Sequence, residues 1–412
     1  MLGVMGGGQL GRMFVHAAQR MGYATAVLDP DAASPAGRVS HLHVQTDYLD
    51  PQGLTRMAQQ CAAITTEFEN VPAEAMLALA VRLPVAPSAA ALGIAQDRAR
   101  EKAHFAACNI PCAPYAVISN EEQMASVDAA LLPGILKTAR LGYDGKGQVR
   151  VRDRAELAAA WSGLRRVACV LEQLQLLQAE CSVIVARGWD GAMVHFAPQR
   201  NLHRAGILAV TEAFEGNLPA GLAEQAVTAA RAVAEGLQYV GVLCVEFFMV
   251  QGRLLVNEIA PRPHNSGHYT IDACDQSQFD LQVRTLAGLP LVQPRQHSPA
   301  IMLNLLGDLW LANAAAGQAQ TGARMLDAAS RGQVTVRAGH AGSVSTDGVT
   351  HAPDWAAVLA LPGTHLHLYG KLDPRAGRKM GHLTITGDTV AQVRTTTAAA
   401  AKLLGLPLDE GS

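Results

Sequence analysis

Two acids set inside apolar runs give the first chemical signal. Residues 243–268 read LCVEFFMVQGRLLVNEIAPRPHNSGH, with Glu246 inside one apolar run and Glu258 inside the next. Two such runs around the Gln251-Gly252 turn predict a β-hairpin, and residues two apart on a strand share a face. A three-residue loop sets Glu246 across from Glu258; a two-residue loop sets it across from Asn257. Like charges facing each other destabilise a hairpin unless something neutralises them. A hard cation such as Mg²⁺ does so, and it takes oxygen ligands of this kind. The plain alternative is a pair of solvated surface acids. Carboxylates embedded in apolar strands, however, are almost always paired or metal-bound. The second run leads into a dense polar cluster of Arg262, His264, Asn265, Ser266 and His268.

Two glycine-rich stretches add anion chemistry. In LKTARLGYDGKGQVRV a strand ends at Lys137, and a loop follows that contains Gly142, Tyr143, Asp144, Gly145, Lys146, Gly147 and Gln148. Its glycines allow backbone amides to wrap a phosphate, and Lys137 and Lys146 add positive charge. It is not a Walker A loop, and an ordinary hairpin loop is the alternative. Near the start, Gly6, Gly8 and Gly11 fit G-x-G-x-x-G, with Asp29 about 20 residues on. That spacing admits a nicotinamide cofactor, a tight turn that only packs a helix on a sheet, or a phosphate-bearing substrate that is not a dinucleotide. Glu67, Phe68, Glu69 and Asn70 end a buried strand and form a candidate binding rim, Glu69 or Asn70 otherwise capping the helix after Pro72. Asp97, Arg98, Arg100 and Lys102 read as a solvated helix face. One strand carries Glu172 and another begins just after Glu180. His203, a lone histidine, follows a further strand. Lys371, Arg375, Arg378 and Lys379 crowd one connection between two late strands.

These groups need a large scaffold. The 412 residues suit two or three domains, and 49% hydrophobic content supports sizeable cores. A net charge of -2 gives no general attraction to nucleic acid or an anionic membrane. The seven cysteines sit singly, as expected of reduced thiols in the cytoplasm. No apolar run reaches the roughly 18 residues of a membrane span, and no basic region marks a signal peptide. The first third reads as a strand, glycine turn, helix and strand, the opening of a Rossmann-like unit. Ser88 starts a short helix, Gln96 to Ala107 a longer one, and Pro111 and Pro114 mark a linker. An amphipathic helix precedes the acid-bearing hairpin. Residues 311–330 read as a variable excursion, and Thr389 to Leu404 as a closing helix.

Taken in order, Lys137, GYDGKGQ, Glu172 to Glu180, the VEFF strand, NEIAPR and HNSGH resemble the ATP-grasp superfamily. Within it the chain resembles the N5-carboxyaminoimidazole ribonucleotide synthases, the ATPase component of phosphoribosylaminoimidazole carboxylase. GGGQLGRM, EFENVP, QDR, GYDGKGQ, NEIAPRPHNSGH and GRKMGH match over nearly the whole chain. The resemblance implies an α/β, ATP-grasp fold: a Rossmann-like pre-ATP-grasp domain over 1–100, two α+β subdomains gripping ATP over 101–295, and a small β-rich domain over 296–412. It implies ATP-dependent carboxylation of 5-aminoimidazole ribonucleotide by bicarbonate through carboxyphosphate, with Mg²⁺, in a cytoplasmic homodimer. Arg98 and Lys137 would contact the ATP phosphates, and the loop Gly142 to Gln148 would close over them. The main chain of Glu172, Gln173, Leu174 and Gln175 would contact adenine, Glu180 the ribose hydroxyls, and His203 would lie near the phosphates. Glu246 and Glu258, with Asn257 adjacent, would hold Mg²⁺. Arg262, His264 and Asn265 would act between nucleotide and substrate. Gly8, Gln9, Leu10, Glu69, Asn70, Ser266, Lys371 and Arg378 would bind the ribonucleotide. The competing readings are a formate- or biotin-using ATP-grasp ligase, an NAD-dependent oxidoreductase, and a non-catalytic nucleotide-binding partner of a mutase.

Overall fold

The computed structural model describes residues 1–142, 147–311 and 352–407. The first unit alternates strands and helices: β1 (Leu2–Met5), α1 (Gln9–Arg20), β2 (Thr25–Leu28), β3 (Leu42–Val44), α2 (Pro51–Gln60), β4 (Ala63–Thr66) and α3 (Ala73–Ala80). Its sheet runs β3-β2-β1-β4, all parallel. Every residue of β1, β2 and β4 is buried, as in a parallel sheet covered on both faces. Gly6 turns the chain out of β1 at φ +103°; a Cβ there would sit 2.6 Å from Glu67 and Phe68 side-chain carbons. Neither Glu69 nor Asn70 caps α3, whose N-cap Pro72 has no side-chain hydrogen bond.

Helices α4 (Ala89–Ala95) and α5 (Arg98–Ala107) lead into the second unit. Ser88 caps α4, and Asp97 caps α5 by accepting from the Ala99 and Arg100 amides. A small antiparallel sheet follows, built from β5 (Tyr115–Ile118), β6 (Gly134–Thr138), β7 (Gln148–Val151) and β8 (Cys169–Gln173) in the order β5-β8-β6-β7. Between these strands run α6 (Glu121–Ala125) and α7 (Arg154–Gly163), and Ile118, Leu136, Leu157, Trp161 and Leu171 share its core.

The large antiparallel sheet begins with β9 (Ala179–Arg187), β10 (Met193–His195), β11 (Gln199–Arg204) and β12 (Ile207–Ala213). Helix α8 (Ala220–Gly236) follows, then β13 (Gly241–Val250) and β14 (Arg253–Ala260). Helices α9 (Thr270–Ala273) and α10 (Gln278–Leu286) precede β15 (Ala300–Leu306), α11 (Trp355–Leu359), β16 (Thr364–Leu368), β17 (Lys379–Thr386) and α12 (Val390–Leu404). The sheet order is β14-β13-β9-β11-β12-β15-β17-β16, with β10 on β9. Ala230 and Val233 of α8 join the core on one face with Val183 and Leu243, and Tyr269 and Leu281 join Ile184 and Cys244 on the other. The boundary expected at 295/296 therefore does not divide the sheet: β15 pairs directly with β12, Val210 opposite Leu303. The expected excursion lies outside the described residues from residue 312 onward. The closing helix has a capping box on Thr389 and ends at Gly405, in the left-handed region at φ +66°.

Candidate active site

The β13–β14 hairpin turns on two residues, Gln251 and Gly252, with φ +50° and +71°. Val250 pairs with Arg253 and Phe247 with Val256, but Val245 pairs with Ile259. One residue, Glu246, thus opposes two, Asn257 and Glu258, in a β-bulge. Neither simple register expected from the sequence holds; the bulge combines them. Each acid has a nitrogen partner. His264 Nε2 lies 3.0 Å from Glu246 Oε1, and Arg98 Nη1 lies 2.8 Å from Glu258 Oε2. Burial opposes ionisation of both, yet His264 holds the Glu246 carboxyl below its ordinary range. At Glu258 the same burial is outweighed by Arg98 and Lys137, which hold it down to about 2. Beside these anions the buried Asn257 Oδ1 has no hydrogen-bond partner among the described residues. Two ionised carboxylates and an orphaned amide oxygen form a donor set that fits a hard divalent cation.

Across the cavity, strands β6 and β8 carry Lys137 and Glu172. Lys137 Nζ donates to Glu172 Oε2 at 2.7 Å, and Lys102 Nζ of α5 lies 3.2 Å from Oε1. Burial raises the Glu172 carboxyl, but the two lysines bring it below its ordinary value. Glu172 stands on a strand, as read from the sequence, its backbone pairing within the sheet with Tyr115 and Ile135. The Gln173 and Leu174 amides are likewise engaged, donating to the Pro114 and Pro133 carbonyls at 2.9 Å each. The supposed solvated face of α5 is also divided: Arg100 is exposed and Asp97 is the cap, whereas Arg98 and Lys102 point inward. Their spacing with Glu101, at i, i+3 and i+4, was the available signal for a shared inward face.

A single cavity of about 1040 Å³ joins the units. Lys137, Gly142, Gln148, Glu172, Gln173, Leu174 and Gln175 line it from the small sheet. Glu180, His203, Glu246, Asn257 and Glu258 line it from the large sheet, and Arg98 from α5. Beyond them come Arg262, His264 and Asn265, then Gln9, Leu10, Glu69 and Asn70 of the first unit, and Lys371 and Arg378 of the β16–β17 connection. Gly147 holds its positive φ of +73° just before β7, and Tyr143, Asp144, Gly145 and Lys146 lie outside the described residues. His203 Nδ1 lies 2.8 Å from Glu180 Oε2. Burial lowers the His203 pKa, but that carboxylate outweighs it and the net shift is upward. Arg262 Nη2 reaches Glu69 Oε2 at 3.2 Å, tying the large sheet to the first unit. Both amide atoms of buried Asn265 are without hydrogen-bond partners among the described residues.

Two expected substrate contacts move back by one layer. Ser266 is fully buried; its Oγ lies 2.9 Å from His264 Nδ1 and 2.8 Å from Ser182 Oγ, so it orients His264. The Gly8 amide donates to Glu67 Oε1 at 3.0 Å, and that of Gly11 to Oε2 at 3.2 Å. Glu67 thus sets a buried carboxyl at the start of α1, where burial raises its pKa, a role the sequence did not separate from that of its neighbours Glu69 and Asn70. In the β16–β17 connection Lys371 Nζ donates to the Lys379 carbonyl and Arg378 Nη1 to that of Asp373, both at 2.7 Å.

Residues 1–96 match the ribonucleotide synthetase preATP-grasp domain, residues 103–279 the ATP-grasp domain, and residues 340–396 the phosphoribosylaminoimidazole carboxylase C-terminal domain. The N5-carboxyaminoimidazole ribonucleotide synthase of Brucella melitensis is 39% identical over 391 residues, 93% of this chain and 95% of the relative. The chain belongs to the N5-carboxyaminoimidazole ribonucleotide synthase family. The Bacillus subtilis synthase is 35% identical, covering 93% and 90% of the two chains. The crystal structure of the Thermus thermophilus synthetase superposes with a TM-score of 0.83 at 35% identity, covering 99% of this chain and 100% of that one. The Aspergillus clavatus synthase in complex with ADP and 5-aminoimidazole ribonucleotide gives 0.80 at 27% identity, covering 98% of each.

Membership in this ATP-grasp family agrees with the failure of the dinucleotide reading. Asp29, only 8% exposed, accepts from the Gly7 amide and the Tyr48 hydroxyl, each at 2.7 Å, and has no room for a ribose. The α1 amides that a pyrophosphate would use serve Glu67. A second cluster, Asp272, His367 and His382, offers metal-type ligands, but the two imidazoles stack at 4.5 Å with planes 12° apart. Ring lone pairs lie in the ring planes, so this stack does not converge on one ion.

Proposed function

We propose that this cavity phosphorylates bicarbonate with ATP and carboxylates the exocyclic amine of 5-aminoimidazole ribonucleotide. The ATP-dependent carboxylation itself is the activity of the family to which the chain belongs. In the first step a bicarbonate oxygen takes the γ-phosphoryl group, giving carboxyphosphate and ADP. The amine nitrogen, or CO₂ capture by that nitrogen, then forms the N–C bond, and phosphate and a proton leave. Such phosphoryl transfer depends on positioning and on neutralising charge rather than on a protein nucleophile. Lys137 and Arg98 stand where the phosphates require cations. Glu246, Glu258 and Asn257 Oδ1 would hold Mg²⁺, which when bound neutralises phosphoryl oxygens. Arg262, His264 and Asn265 lie between that region and the first unit. There, with Lys371 and Arg378, they are assigned to bicarbonate and the ribonucleotide. Carboxyphosphate hydrolyses readily, so a cavity lined by three units would serve to limit its contact with water.

The observation that carries these assignments is the meeting, in one cavity, of Lys137 with two ionised acids and an orphaned amide oxygen. ADP release should require Mg²⁺ and bicarbonate and rise on adding 5-aminoimidazole ribonucleotide. Release supported equally by formate, or by free biotin in place of the ribonucleotide, would contradict the assignment. We further assign a homodimer in the cytoplasm. The family resemblance supports the former and seven unpaired cysteines suit a reducing compartment; sedimentation equilibrium at micromolar protein tests the dimer. Among the described residues no helix is long and apolar enough to cross a membrane.

A further inference from the structure

Strand β14 bears Glu258 at the free edge of the large sheet, where its outward backbone groups need partners. Helix α5 supplies them. Glu101 Oε1 accepts the Ile259 N–H at 2.7 Å, and Lys102 Nζ donates to the Asn257 carbonyl at 2.9 Å. Together with the Arg98–Glu258 pair, one helix face thus holds the bulge at three successive residues. Lys102 also reaches the other lobe through Glu172. The side chain is 0% exposed and does not line the cavity, so it does not touch a bound nucleotide.

The charges decide what it does there. Lys137 and Glu172 alone would form a neutral pair with nothing left for a phosphate. Two ammoniums sharing one carboxylate leave a net positive charge, and of the two lysines only Lys137 faces the cavity. We propose that Lys102 is a positioning residue for the nucleotide: it ties Glu172 to the Asn257 carbonyl across the two lobes and leaves Lys137 charged toward the phosphates. This rests on reading the cavity as the nucleotide site.

Calorimetric binding of Mg·ADP to the full chain tests it. Lys102→Met should weaken binding about ten-fold, as for loss of a charged hydrogen bond, and leave the KM for 5-aminoimidazole ribonucleotide within about two-fold. A double variant with Lys137→Met should bind no more weakly than Lys137→Met alone, because Lys102 acts through that lysine. Additive losses, or wild-type affinity in Lys102→Met, overturn the proposal. If Lys102→Met does not fold, Lys102→Gln keeps N–H donors while removing the charge; the same loss is expected, and wild-type affinity again overturns it. Binding needs no turnover, so a wild type that binds Mg·ADP yet never releases ADP would refute the reaction and leave the Lys102 result standing.

Discussion

Glu258 and Glu101, which accepts the N–H of the next residue along β14, call for opposite experiments. Glu258 is held ionised, down to about 2. Glu258→Gln removes the charge that the cation site requires while keeping the shape. Turnover should fall by about 10²-fold or more, with a Tm close to wild type; wild-type turnover would refute the metal assignment. Glu101 is buried, and burial pushes its carboxyl from an ordinary 4.5 up to about 8. The folded chain therefore keeps a proton between those pH values that the unfolded chain has lost, and stability falls as pH rises through this window. Glu101→Gln keeps the acceptor for Ile259 N–H and has no proton to lose. Its Tm advantage over wild type should be small near pH 5 and grow until about pH 8; a constant difference across that range would contradict the burial effect. Glu246 and Glu258 were legible in the sequence because acids interrupt apolar runs. Glu101 and Lys102 share the i, i+3, i+4 face of Arg98, but charges on a helix ordinarily face water, and only the tertiary fold shows that this face turns against β14.

At the level of elements, the hairpin shows what pattern alone does and does not specify. Two apolar runs and a Gln-Gly turn identify both strands, but loop length alone left two registers open. The bulge that joins them meets partners distant in sequence, on α5. If α5 rather than the turn fixes the register, the turn is free to be strained without harm to the site. Gly252 has φ +71° and open space around an added Cβ, so Gly252→Val costs only backbone conformation, about 1–2 kcal/mol. The denaturant midpoint should drop at unchanged m, with the KM for ATP unaltered. A raised KM would show that the turn itself sets the spacing of Glu246 and Glu258. The glycine turn after β1 illustrates a related limit. Its spacing reads as an anion site, but the Gly8 and Gly11 amides are taken by the Glu67 carboxyl of the same chain.

For the molecule as a whole, the small β-rich domain that the resemblance implies over 296–412 carries strands that continue the large sheet. Leu303 and Leu383 lie side by side in the β15–β17 ladder and share a core with Val210 of β12 and Val393 and Ala400 of α12. The cavity depends on the same continuity, since Lys371 and Arg378 enter it from the β16–β17 connection. A chain ending at residue 295 would leave the β12 edge unpaired and its apolar partner uncovered, an invitation to edge-to-edge association. Such a truncation is expected to lose soluble yield and its cooperative melting transition, and not merely the ribonucleotide site. A soluble monomer of residues 1–295, melting within a few degrees of the full chain, would instead mean that the three late strands fold as an attached unit and that the sheet tolerates a bare β12.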